Sequence, residues 1–197
     1  VGIDGVIDYA LAPQKSLAMD LNLVSKCRFV LGCNSGFSCF AEVFGIPVLQ
    51  TNFTALANSA RFPYSNNLFL FQHVAELDRG NRVDLDRIFD PSLITINDPF
   101  HFAALGYQCQ PNTPEEILEA TKEMHNLVES DGFDGPRSKE QEMFHQRRLA
   151  ALDYLWSPVE QTGAEMYSPL RSSESRISAV FAARYLSNAQ HKAEEQP

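Results

Sequence analysis

The residues best suited to chemistry lie together in Gly32-Cys33-Asn34-Ser35-Gly36. An amide, a hydroxyl and a glycine in one short turn are groups that can hold a phosphate. Backbone N–H groups at the start of a helix attract an anion, Ser35 adds a hydroxyl, and Gly36 has no side chain to keep oxygens away from the backbone. The same residues also suit a plainer role, with Asn34 or Ser35 capping a helix and Gly36 easing a turn. Asn52 is a second candidate. Its side-chain amide can bond a sugar hydroxyl or a base, and Asn is equally common where a strand turns into a loop. Arg61, in the irregular segment Thr54 to Asn67, carries a guanidinium able to grip phosphate oxygens in pairs, or simply to stay in water.

These groups need a framework to hold them, and the flanking sequence predicts one. Phe29, Val30 and Leu31 form an apolar run that reads as a strand buried on both faces and ending at Gly32. Phe37, Phe40, Ala41 and Phe44 follow at the spacing of one helix face, and Gly45 with Pro47 ends that helix. Val48 and Leu49 open the next strand, so the turn joins a strand end to a helix start. Ligands of open parallel sheets bind beyond such carboxyl ends.

CRFVLGCNSGFSCFAEVFGIPVLQTN, with IDYA at Ile7 to Ala10 and NTPEEI at Asn112 to Ile117, resembles the carboxy-terminal half of a family of bacterial glycosyltransferases. The resemblance covers most of the chain, and Cys33-Asn34 occupies a variable place in it. It implies an α/β fold, a Rossmann-like parallel sheet flanked by helices, forming one half of a GT-B-type two-domain architecture. It further implies a nucleotide-sugar donor as partner, a glycan or other acceptor, and an amino-terminal domain of the same enzyme. Residues 1–187 would form the donor-binding domain and 188–197 a disordered tail. Asn34, Ser35, Gly36 and Asn52 would then face the donor, and Glu115 or Glu116 would hold its ribose hydroxyls. Both carboxylates have plainer roles too, Glu116 in a capping box with Thr113 and Glu115 beside the helix dipole.

Composition narrows the alternatives. A chain of 197 residues with 44% hydrophobic and 21% charged residues is sized for one soluble domain. It starts at Val1 and reads as a fragment. A net charge of −9 with scattered basic residues argues against a nucleic-acid surface. No apolar stretch approaches a membrane span. Cys27, Cys33, Cys39 and Cys109 contain no C-x-x-C pair, so they are expected as free thiols, the first three buried, in a reducing, cytoplasmic compartment. No cofactor or metal site is expected; no Asp-x-Asp occurs among the turns, and Asp84-Leu85-Asp86 falls in a segment read as a surface helix.

Along the rest of the chain, the pattern predicts a strand near Val6 to Tyr9 and a helix capped by Ser16 with Leu17, Leu21 and Val24 on one face. Further strands are expected at Leu68 to Phe71 and Tyr107 to Gln110, with short helices at Asp84 to Phe89 and Pro99 to Gly106. The clearest helix starts at Thr113, with Pro114 in its first turn. A long helix is expected over Lys139 to Trp156, burying Met143, Phe144, Leu152, Leu155 and Trp156, then a polar connector over Pro158 to Ser173. A last helix is expected at about Glu174 to Leu186.

Glycosyl transfer by a donor-binding half is the leading expectation. A nucleotide-sugar epimerase or hydrolase of similar architecture and a non-catalytic binding module are the alternatives. The glycines around Ser35 stand at the wrong offsets for a hydrolase elbow, and no G-x-G-x-x-G follows a strand.

Overall fold

The computed structural model describes residues 3–33, 35–54, 66–94, 96, 98–160 and 175–194. In chain order its elements are α1 (Leu17–Val24), β1 (Val30–Gly32), α2 (Ser38–Val43), β2 (Val48–Phe53), β3 (Leu68–Phe71) and β4 (His73–Glu76). Then come α3 (Leu85–Ile88), α4 (Pro91–Ile94), α5 (Pro99–Ala104), β5 (Tyr107–Gln110), α6 (Pro114–Ser130), α7 (Lys139–Glu160), β6 (Arg176–Ile177) and α8 (Ala179–Glu194).

The fold is mixed α/β, a parallel sheet of four strands in the order β1-β2-β3-β6 flanked by helices. β2 and β3 lie at its centre, and their apolar runs are buried nearly throughout, as a strand covered on both faces requires. Phe69, Phe71, Phe89 and Phe144 pack ring against ring, which ties α3 and α7 to β3. Burying each such side chain contributes about 1.5–3 kcal/mol. Ala120 and Met124 of α6 are fully buried in the same core. β4 and β5 form a separate antiparallel pair that brings the chain from the end of β3 to the start of α6.

Helix ends follow local chemistry. Ser16 Oγ accepts from Met19 N at 3.2 Å and starts α1. Thr113 and Glu116 make the expected capping box on α6, and Asp84 caps α3. Gly45, at φ 70°, takes the left-handed turn that ends α2.

Several expectations are corrected. No strand forms near Val6 to Tyr9; Tyr9–Leu11 is a single 3-10 turn with Ile7 88% exposed, and among the described residues β1 is the sheet edge. That edge position also leaves Leu31 exposed, so β1 is not buried on both faces. In α2 the aromatic face is turned outward: Phe37, Phe40 and Phe44 are exposed while Ser38 and Ala41 lie against the sheet. Small side chains let this short helix approach β1 and β2, and the aromatic rings do not fit between. Cys33 and Cys39 are exposed rather than buried, and all four cysteines are free.

Met143 is exposed whereas Phe144 is buried, and the side chains of Leu152, Leu155 and Trp156 lie outside the described residues. The connector from residue 161 to 173 also lies outside them, although residues 158–160 belong to α7. The expected last helix divides in two: Ile177 sits in β6, Ser178 follows, and α8 then runs past Leu186 to Glu194 through the segment expected to lack order. No helix of the described residues is long and apolar enough to cross a membrane.

Candidate functional site

The candidate site is the edge of the sheet where β1, β2 and β3 end and α6 begins. In β1, Gly32 is paired with Gln50 of β2, and Thr51 Oγ1 donates to Gly32 O at 3.3 Å. That pairing sets the turn after Gly32 beside the end of β2. Ser35 and Gly36 are exposed there; Asn34 lies outside the described residues.

The turn does not do what a plain capping turn does. The residue in the capping position of α2 is Phe37, already in helical conformation, and among the described residues no side chain caps the helix. Ser35 takes part through its backbone, accepting from Ser38 N at 3.3 Å. A Cβ built on Gly36 meets no atom within 4 Å, and its φ is not in the left-handed region. Among the described residues, neither backbone geometry nor packing therefore calls for glycine at position 36.

Asn52 has a structural task. It adopts φ 53°, and it exchanges two hydrogen bonds with Asn112, each backbone N donating to the other's Oδ1 at 2.7 Å. Asn112 Nδ2 also donates to Phe71 O at 2.6 Å. One side chain thus ties the ends of β2 and β3 to the residue before the Thr113 cap. The Oδ1 of Asn52 is spent on this clasp, which leaves its Nδ2 as the group able to meet a ligand.

Glu115 and Glu116 diverge. Glu115 is exposed in the first turn of α6. Glu116 is buried, with His73 Nε2 at 2.9 and 3.0 Å from its two oxygens and Thr113 N donating to Oε2 at 2.9 Å. Arg82 stands 4.0 Å from Oε1. Burial pushes the Glu116 carboxyl up, but the hydrogen bonds from His73 and Thr113, with the charge of Arg82, outweigh it and hold the group below the usual carboxylate range. Burial pulls His73 below the ordinary imidazole range, against the pull of Glu116, so near neutral pH a neutral ring donates Nε2–H to an ionised carboxylate. The ring stacks on Phe181 and Tyr185 of α8. Glu116 is therefore committed to holding α6 and β4 together, and of the two carboxylates only Glu115 faces outward.

A small cavity opens beside this edge, from Thr54 and Gln72, just past β2 and β3, inward to Phe144, Phe181 and Tyr185. At ≈ 20 Å³ of room for the centre of a water-sized sphere it suits about one water, not a nucleotide. Among the described residues no group of three or more His, Cys, Asp and Glu side chains gathers as metal ligands.

The expected turn and Asn52 thus meet at one sheet edge, with Glu115 on the helix that Asn112 anchors there. Arg61 lies outside the described residues. Asn112, His73 and Gln50 went unnoticed as site residues. The signal for Gln50 was present: a long polar side chain directly after the apolar pair Val48 and Leu49 that opens the strand. Comparison with protein-family models, curated proteins and solved structures returns no match.

Proposed function

We propose that this chain is the donor-binding half of a glycosyltransferase, a Rossmann-like domain of GT-B type that holds the diphosphate of a nucleotide sugar. The observation that carries the reading is Gly36: an exposed glycine, just past the carboxyl end of a parallel strand, that neither backbone conformation nor packing among the described residues requires. Ligand approach accounts for it. Phosphate oxygens would meet backbone N–H groups of the turn and the Ser35 hydroxyl, with Asn52 Nδ2 and Glu115 reaching the sugar or ribose hydroxyls. A domain of this kind would stabilise the departing diphosphate as the bond between sugar and phosphate breaks and the acceptor oxygen takes the sugar. The base that activates the acceptor would belong to the amino-terminal domain, so this half alone would bind without turning over.

Calorimetric titration of UDP, GDP, UDP-glucose and GDP-mannose tests the proposal. The expected result is binding that Gly36→Val abolishes in a protein that still folds. Wild-type protein that binds none of the four ends the reading, and unchanged affinity in folded Gly36→Val removes the phosphate from this turn.

A further inference from the structure

One side chain of β2 is not explained by its surroundings. Gln50 is 2% exposed, and among the described residues neither its Nε2 nor its Oε1 has a hydrogen-bond partner. Sealing a carboxamide without partners costs stability that an apolar side chain of the same length would not cost. Val48, Leu49 and Phe53 of the same strand show what packing alone selects.

Its position suggests what the amide serves. Side chains alternate along a strand, so Gln50 shares a face with Val48, which packs on Val24 of α1 and Ala41 of α2. Its neighbours across the sheet are Phe69 and Gly32. Glycine offers no side chain next to the amide on β1, and the chain beyond Gly32 is the turn that holds Ser35 and Gly36. The amide therefore lies beneath that turn, on the side of the sheet that α2 covers.

We infer that Gln50 is a ligand contact, a carboxamide held ready under the turn for a group presenting a hydrogen-bond donor and acceptor side by side. Nε2 donates and Oε1 accepts, so both atoms are satisfied by one such group. The inference rests on the donor reading proposed above. A nucleotide sugar carries this chemistry on both sides of its diphosphate, in the adjacent hydroxyls of the sugar and in the donor-acceptor edge of the base. Both amide atoms are closed off in the free chain, so the side chains over them must shift as the ligand seats.

Gln50→Met keeps the length of the side chain and removes both polar atoms, and Gln50→Leu serves as a second variant. Thermal unfolding and calorimetric titration with UDP-glucose, UDP, GDP-mannose and GDP are measured on each beside the wild type. The expected result is a melting temperature several degrees higher, with affinity for the nucleotide sugar that the wild type binds lower by about 10-fold or more. A loss confined to the nucleotide sugar assigns the sugar hydroxyls, and an equal loss for the nucleoside diphosphate assigns the nucleoside. Unchanged affinity in a folded variant overturns the inference and leaves the donor reading standing. A lower melting temperature in both variants marks a structural amide and overturns it as well. Wild-type protein that binds none of the four ligands overturns the donor reading, and this inference with it.

Discussion

Asn52 and Asn112 hold each other by two reciprocal bonds of 2.7 Å, although 60 residues separate them in the chain. Each backbone N–H donates to the other's side-chain oxygen, the exchange two strand residues make, but here one partner is a strand end and the other a helix entrance. Asn112→Ala strips Asn52 N and Phe71 O of partners at once and is expected to cost about 1–3 kcal/mol of stability. Asn112→Asp keeps the acceptor for Asn52 N but sets a buried carboxylate oxygen against Phe71 O, so it should cost more. Urea unfolding of both variants checks the order, and equal stability of Asn112→Ala and wild type would show that the clasp contributes nothing.

Ser35→Ala should weaken nucleoside diphosphate binding mildly. Loss of a neutral hydrogen bond costs about 0.5–1.5 kcal/mol, and up to ~3 kcal/mol if its partner is a charged oxygen. Gly36→Val, by contrast, should abolish binding with its fold intact, because a Cβ there meets no protein atom within 4 Å. A Gly36→Val protein with a much lower melting temperature would instead assign the glycine to the turn.

Binding of the diphosphate should survive a chelator. The proposed site draws its positive potential from backbone N–H groups, and the Asp-x-Asp of the sequence, Asp84-Leu85-Asp86, is spent on a helix start, with Asp84 Oδ1 accepting from Arg87 N at 2.8 Å. Affinity that vanishes in EDTA and returns with magnesium or manganese would contradict this.

Stability should fall on acidification in two stages. His73 is depressed below its reference value of 6.5, so the unfolded chain takes up its proton first and stability declines as pH drops from about 6.5 toward the folded value. Glu116 is depressed below 4.5, so its contribution is present above that pH and is lost as pH falls through the folded value. Thermal unfolding from about pH 2 to 8 should show both, and His73→Gln should flatten the upper stage. An unchanged slope in that variant would remove His73 as its source.

Glu123 of α6 closes the start of α8: its carboxylate accepts from Ser178 Oγ at 2.6 Å and from Ala179 N at 2.9 Å. Glu123→Ala should cost about 1.5–3 kcal/mol, the range for bonds to a charged group. Amide exchange should accelerate in the first turn of α8 before it does so in α6; uniform exchange across both helices would count against a local cap.

Much of the framework was legible because local rules decided it. Thr113, Pro114 and Glu116 announce α6 in four residues, and Leu68 to Phe71 has no reading other than a buried strand. Periodicity failed where it left the choice of face open. In α2, Phe37, Phe40 and Phe44 made the obvious stripe, yet Ser38 and Ala41 form the face that fits the sheet. It failed again at Ile177, whose spacing to Val180 and Phe181 imitates a helix although two residues of strand come first. At the candidate site, the turn and Asn52 stood out by residue type. The bond from His73 to Glu116 did not, because it spans 43 residues and no local pattern encodes it.

β6 supplies only Arg176 and Ile177, yet it pairs with Leu68 and Phe69 at the middle of the core. Tyr185 likewise reaches back 102 residues to donate to Val83 O at 2.6 Å. The central strands are thus made early in synthesis and completed late. Until Ile177 and α8 emerge, β3 has an open edge and His73 lacks the aromatic rings that cover it. Native closure is governed by contacts of long sequence separation, which fold slowly. A nascent chain stopped before Ser175 should therefore remain open to proteases and to pairing with other strands, however complete its first three strands are.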